Sequence, residues 1–174
     1  ASPFEAGGAA LARLDRIEAA PGLRERLGGL RVRVACDVDN PLGGPSGASS
    51  VYGPQKGATP EQVRALDAAL ANFARVVSRD LGVEILDVPG AGAAGGLGGG
   101  LLAFLGGELT PGVEIVVDAV GLVGALEGAD LCITGEGQLD EQTARGKTPM
   151  GALRAARRQG VPVIALGGAV RRGA

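Results

Sequence analysis

Carboxylates, amides and lysines stand beside glycine at three places in this sequence. Asp37 and Asn40 belong to Cys36-Asp37-Val38-Asp39-Asn40-Pro41, and Gln55 and Lys56 to Gly53-Pro54-Gln55-Lys56-Gly57. Glu136 and Asp140 belong to Thr134-Gly135-Glu136-Gly137-Gln138-Leu139-Asp140, with Gln142 and Lys147 a few residues on. A carboxylate can hold a divalent cation or accept a hydroxyl proton, and a lysine sets a compact positive charge against a phosphate or a carboxylate. Between these groups, Pro89 to Gly100 is almost entirely glycine and alanine, with Gly90, Gly92, Gly95 and Gly96 at its centre. Glycine lets main-chain amides turn and approach a ligand closely, as a loop around phosphate requires. These residue types suit a small anionic ligand.

Each group has a second reading. Asp37 and Asn40 next to Pro41 can form Asx turns, Lys56 and Lys147 can be solvated loop lysines, and two carboxylates alone are unspecific for magnesium. Gly90, Gly92 and Gly95 satisfy G-x-G-x-x-G between a strand and a helix, which opens a nicotinamide-binding alternative. No acidic residue ends a following strand about 20 residues later, as that fingerprint requires. A phosphate or carboxylate against the helix start near Gly95 and Gly96 fits better, with close helix packing as the competing explanation. Gly146-Lys147-Thr148 resembles the end of a Walker A loop, but Glu141 stands where that loop needs its first glycine.

The elements that must position these groups follow from periodicity and punctuation. Val32, Val34 and Cys36 alternate as in a strand, so Asp37 to Asn40 lie just past its carboxyl end, where open α/β sheets bind ligands. Thr59, Pro60 and Gln62 form a capping box with proline at the first helical position, and Val63, Leu66, Leu70, Phe73, Val76, Val77 and Leu81 recur at helical spacing up to Gly82. A helix is therefore expected over Pro60–Leu81, with short helical turns before it between residues 11 and 27. Val83–Val88 is a strand candidate, followed by the glycine loop and a helix over Leu97–Leu105. Val113–Val120 fits helix or buried strand, and the helix is preferred. From Ala129 a βαβ unit is expected: strand Asp130–Thr134, a polar loop through Lys147, helix Pro149–Gln159, Gly160 as its cap and strand Val161–Leu166, with the two strands parallel.

With 174 residues, 45% of them hydrophobic but only 2% aromatic, the chain can bury an aliphatic core of the kind an α/β fold uses. Seventeen basic against nineteen acidic residues, without a basic block interleaved with aromatics, argue against nucleic acid. No apolar run approaches the roughly 18 residues of a membrane span, and no secretory leader is recognisable, so a cytoplasmic location is expected. The absence of His excludes His-based triads and most zinc sites. Cys36 and Cys132, both in strand-like runs, are expected to be buried free thiols.

Four motifs in order, Cys36 to Leu42, Gly53 to Ala58, Pro89 to Gly96, and Ile133 to Gly137 with Asp140, Gln142, Gly146 and Lys147, closely resemble the bacterial glycerate kinases of the type I, two-domain α/β kind. The likeness runs from about Leu11 to Val170. It implies transfer of the γ-phosphoryl group of ATP to D-glycerate, giving 2-phosphoglycerate, with magnesium. By it, Asp37, Asn40, Gln55, Lys56, the glycines from Gly90 to Gly96, Glu136, Asp140, Gln142 and Lys147 line a cleft between two domains, beside Thr134 and Gly135. Asp37, Lys56, Glu136 and Asp140 are the candidate catalytic groups, and Glu136 and Asp140 the candidate metal ligands. Residues 1–128 would form most of the inserted second α/β domain, and 129–174 the re-entry into a Rossmann-like parallel-sheet domain. Family members also carry an Asp-Ser-Phe-Lys-Gly type loop, an Ala-Asp-Gly-Gly-Glu-Gly segment and a Gly-Gly-Ser-Ala-Thr-Asn segment that do not occur here. The chain is accordingly expected to be a fragment, chiefly inactive by itself, and a homodimer is left open. A noncatalytic ligand-binding module and a nicotinamide-dependent oxidoreductase are the alternatives.

Overall fold

The computed structural model describes residues 7–140 and 148–171. The chain divides into two compact units, Ala1–Leu109 and Thr110–Ala174.

The first unit is organised by one long helix. Short 3-10 turns occur at Gly8–Arg13, Pro54–Lys56 and Ala93–Gly95, with helices α1 Leu23–Leu27, α2 Ala48–Tyr52, α3 Pro60–Leu81 and α4 Leu97–Leu105. Strand β1, Arg33–Ala35, pairs with β2, Glu108–Thr110. The ends of α3 fall where its sequence signals put them. Thr59 Oγ1 accepts from the Gln62 amide at 3.3 Å, and Gln62 Oε1 accepts from the Thr59 amide at 2.8 Å. At the other end Gly82 takes φ 69°, and its amide donates to Ser78 O. The inner face of α3 buries Leu70, Phe73, Ala74 and Val77 against Leu42, Ala48, Ile85 and Ala91. The N-terminal segment is tied to the same helix by the Asn72 amide, which donates to the carbonyls of Leu11 and Leu14, and by Asp80, which accepts from the Ile17 amide at 2.8 Å.

One expected element is absent. Val83–Val88 forms no ladder; Ile85 is fully buried in the core, and Leu86 O accepts from the Leu42 amide at 3.0 Å. A short apolar run bounded by glycine and proline looks alike whether it is buried as a strand or as a lone extended segment.

The second unit contains α5 Gly112–Ala119, α6 Leu122–Ala125, β3 Cys132–Leu139, α7 Thr148–Arg158 and β4 Val163–Val170. The helical reading of Val113–Val120 is thus correct. Strands β3 and β4 are parallel, with Cys132 opposite Val163 and Leu139 opposite Val170, as the βαβ pattern predicts. Cys132, Ala152, Ala155, Ala156 and Val161 form its core with Leu126. A Cβ on Gly151 would stand 2.2 Å from Val113 Cγ2, so glycine is what lets α7 lie this close to the start of α5. Among fully buried side chains the largest are Leu42, Ile85, Val76 and Val77, the aliphatic core that the composition anticipates.

Both strands run further than expected. β3 continues from Thr134 to Leu139 through Gly135 and Gly137, so Glu136 lies within a strand rather than in a loop beyond it. Close strand contact falls on the glycines of β4: a Cβ on Gly167 would meet Leu139 at 2.9 Å, and one on Gly168 would meet Gly137 O at 2.8 Å, whereas one on Gly137 would meet nothing within 4 Å. Of the expected polar loop through Lys147, residues 141–147 lie outside the described residues.

Candidate functional site

In the first unit, Asp37 and Asn40 follow β1, and Asn40 is bound on both sides of its amide. Tyr52 Oη donates to Asn40 Oδ1 at 2.6 Å, and Asn40 Nδ2 donates to Ser46 O at 2.8 Å. The Asn40 carbonyl accepts from the Gly92 amide at 3.0 Å, which joins this turn to the glycine loop. Asp37 is exposed. Gln55 and Lys56 form the last two residues of an exposed 3-10 turn, closed by Gly57 at φ 86°.

The glycine loop is held tightly at one end and openly at the other. Gly90, at φ 83°, leaves no room for a Cβ, which would lie 2.9 Å from Cys36 Sγ, and a Cβ on Gly92 would lie 2.2 Å from Pro41 O. Close backbone approach therefore accounts for these two glycines without a ligand. Gly95, at φ 76°, has open space around its missing side chain, while Gly96, at φ 106°, caps α4. Ala94, just before Gly95, takes φ 50°, the one left-handed non-glycine among the described residues. The groove of about 500 Å³ beside Gly95 and Gly96 is lined by Leu70, Phe73, Leu97, Leu101 and Phe104. Its walls are apolar and offer no charge to a phosphate. Any anion at this loop would have to meet the main-chain amides that open α4.

In the second unit, the two-residue period of β3 puts Thr134, Glu136 and Gln138 on one face of the strand and Gly135 on the other. Asp140 follows directly, and Gln138 Nε2 donates to its Oδ2 at 2.8 Å. The carboxylates thus stand at the carboxyl end of a parallel strand, half-buried, the position that open α/β sheets use for ligands. No group of three His, Cys, Asp or Glu side chains that could hold a metal occurs among the described residues. That donor set still suits magnesium, which takes one or two protein carboxylates and completes its shell with water and phosphate oxygens. Gln142 and Lys147 lie outside the described residues.

The structure brings Asn40 together with Gly92, and Asp140 together with Gln138. Asp37, Asn40, Gln55, Lys56 and the glycine loop belong to the first unit, and Thr134, Gly135, Glu136 and Asp140 to the second. Sequence reasoning missed Tyr52, the partner of Asn40, because a tyrosine twelve residues away carries no local signal. Gln138 could have been found, since residues two apart in a strand share a face. Cys36 and Cys132 are both free thiols, Cys132 buried as expected and Cys36 only half-buried. The Cys36 thiol donates to Val38 O at 3.3 Å, under the glycine loop.

The chain is thus an α/β protein with carboxylates at the end of a parallel strand. The glycerate kinase family model matches residues 1–174, and the chain belongs to that family. It is 50% identical to a glycerate kinase of Halalkalibacterium halodurans over 98% of its own length and 45% of that protein. It is 46% identical to the glycerate 2-kinase of Escherichia coli, covering 94% of this chain and 43% of the relative. A solved structure from Salmonella typhimurium, assigned as glycerate kinase 2, superposes with a TM-score of 0.82 at 48% identity, covering 95% of this chain and 46% of that one. The chain therefore spans somewhat less than half the length of the relatives it matches.

Proposed function

We propose that this chain is part of a glycerate kinase that transfers the γ-phosphoryl group of ATP to a hydroxyl of D-glycerate, giving 2-phosphoglycerate and ADP. The observation that carries the reading is sequence identity near 50% to glycerate kinases across nearly all of the chain. The glycine loop, Lys56 and the carboxylates of β3 support it chemically, because phosphoryl transfer asks mainly for positioning and charge neutralisation. It needs no histidine.

In this reading the glycerate hydroxyl oxygen attacks the γ-phosphorus as the bond to the ADP oxygen breaks, and the hydroxyl proton passes to a carboxylate. Asp37, Glu136 and Asp140 are the candidates for that proton. Glu136 and Asp140 would also hold magnesium, which when bound neutralises charge on the transferring phosphate. Lys56 and Lys147 would balance the charge of phosphate or of the glycerate carboxylate, with Asn40, Gln55, Thr134, Gly135, Gln142 and the glycines from Gly90 to Gly96 orienting the substrates. Residues 1–128 would belong to the inserted domain and 129–174 to a Rossmann-like domain. A cytoplasmic enzyme without nucleic-acid or membrane partners completes the proposal; no helix among the described residues is long and apolar enough to cross a membrane.

The test is ADP release by the intact gene product with ATP, magnesium and D-glycerate. Glycerate-dependent release is expected, and Glu136→Gln and Lys56→Ala should each lower it by at least about a hundredfold. Glycerate-independent release, or binding of NADH with no ATP turnover, would contradict the proposal.

A further inference from the structure

We infer that Asp67, which no motif singles out, is a positioning residue that holds the Asn40 loop in its working conformation. The inference rests on the kinase reading above, in which Asn40 orients substrate. Asp67 lies half-buried in the middle of α3, and its Oδ1 accepts from the Gly44 amide at 2.9 Å. On the far side of the same loop, the Gly44 carbonyl accepts from Ser50 Oγ at 2.8 Å and from the Gly47 amide at 3.0 Å. Gly44 itself takes φ 85°, a conformation that glycine adopts readily and side-chain-bearing residues rarely. Both faces of residue 44 are thus fixed, one by α3 and one by α2.

The fixed point is transmitted over a short distance. Two residues further on, Ser46 O receives the Asn40 side-chain amide, and two residues back, Leu42 is bonded at both its amide, to Leu86 O, and its carbonyl, from the Ala48 amide. Asn40 in turn accepts from Gly92 at its main-chain oxygen and from Tyr52 at its side chain. Removing the Asp67 carboxylate leaves the Gly44 amide without its acceptor, next to Gly43, where a Cβ would touch Leu86 at 3.0 Å. The loop must then shift, and Ser46 O and Asn40 shift with it. Because a carbonyl-type oxygen suffices at this place, the amide of asparagine should substitute for the carboxylate, and alanine should not.

In the intact gene product, Asp67→Ala should raise KM for D-glycerate by about tenfold with kcat within about threefold of the parent, the pattern of a lost ground-state contact. Asp67→Asn should restore KM to within about twofold. Independently of activity, amide hydrogen exchange at Gly44 should quicken by at least about tenfold in Asp67→Ala and stay parental in Asp67→Asn. Parental KM in Asp67→Ala, despite turnover, would overturn the positioning role. So would equal impairment of both variants, or a fall in melting temperature with no change in KM, which would mark Asp67 as merely structural. If the parent itself fails to phosphorylate glycerate while Gly44 exchange still responds, the kinase reading fails and the loop clamp stands; unchanged exchange at Gly44 would overturn the clamp itself.

Discussion

At single residues, the glycines divide into those that steric contact demands and those that it does not. Gly92 is demanded: a Cβ there would stand 2.2 Å from Pro41 O, a main-chain atom that cannot swing aside. Gly100, inside α4, has nothing within 4 Å of the same position. Gly92→Ala should therefore destabilise the protein by about 2 kcal/mol or more, while Gly100→Ala should stabilise it by about 0.5 kcal/mol through its helix propensity. Urea denaturation of both variants checks the contrast, and equal effects would refute it. Asp80 makes the matching electrostatic case. The Arg79 guanidinium, and then the Ile17 amide, hold its carboxyl down from 3.8 to about 2. A carboxylate lowered on folding contributes stability above its unfolded value and loses it as pH falls through the folded one. The difference in urea midpoint between the parent and Asp80→Asn should be constant above about pH 5 and shrink between about pH 4 and pH 2; a difference that persists undiminished at pH 2 would contradict this assignment.

Among the elements, α3 was legible to the residue because each of its signals is local. The capping box at Thr59 and Gln62, the proline at its first position and Gly82 at its end need no tertiary partner to act. Thr59→Ala should cost about 1 kcal/mol, read from thermal unfolding, and no loss would mean that packing alone sets this helix start. The parallel βαβ pair was legible for the same kind of reason. The far half of β3 was not, because Gly135 and Gly137 read as loop, although pairing with β4 carries the strand on to Leu139. Val83–Val88 failed in the other direction: Ile85 has the composition of a strand but finds a core pocket instead of a neighbouring strand. The candidate site was legible in its residue types. Its internal wiring through Tyr52, Ser50 and Asp67 was not, since those contacts join residues 6 to 23 positions apart, with no sequence period between them.

For the molecule as a whole, one face of the β3–β4 pair matters. Ile133, Ile164, Leu166 and Val170 are 62%, 48%, 59% and 70% exposed, and the strand register sets the first three side by side on the face opposite Cys132. Parallel strands are normally covered on both faces, and an apolar patch of this kind is sticky in water. The 174-residue chain expressed alone should bind a hydrophobic dye such as ANS strongly, and Ile164→Lys should reduce that binding; no dye binding would mean that the patch is covered in solution. The functional claim belongs to this scale too, because the chain spans less than half of its relatives and its two sets of candidate residues belong to separate units. The most direct measurement is a ³¹P NMR spectrum of the intact gene product incubated with ATP, magnesium and D-glycerate. 2-Phosphoglycerate and ADP are expected in equal amounts; unchanged ATP, or inorganic phosphate as the sole new phosphorus species beside ADP, would contradict the kinase assignment.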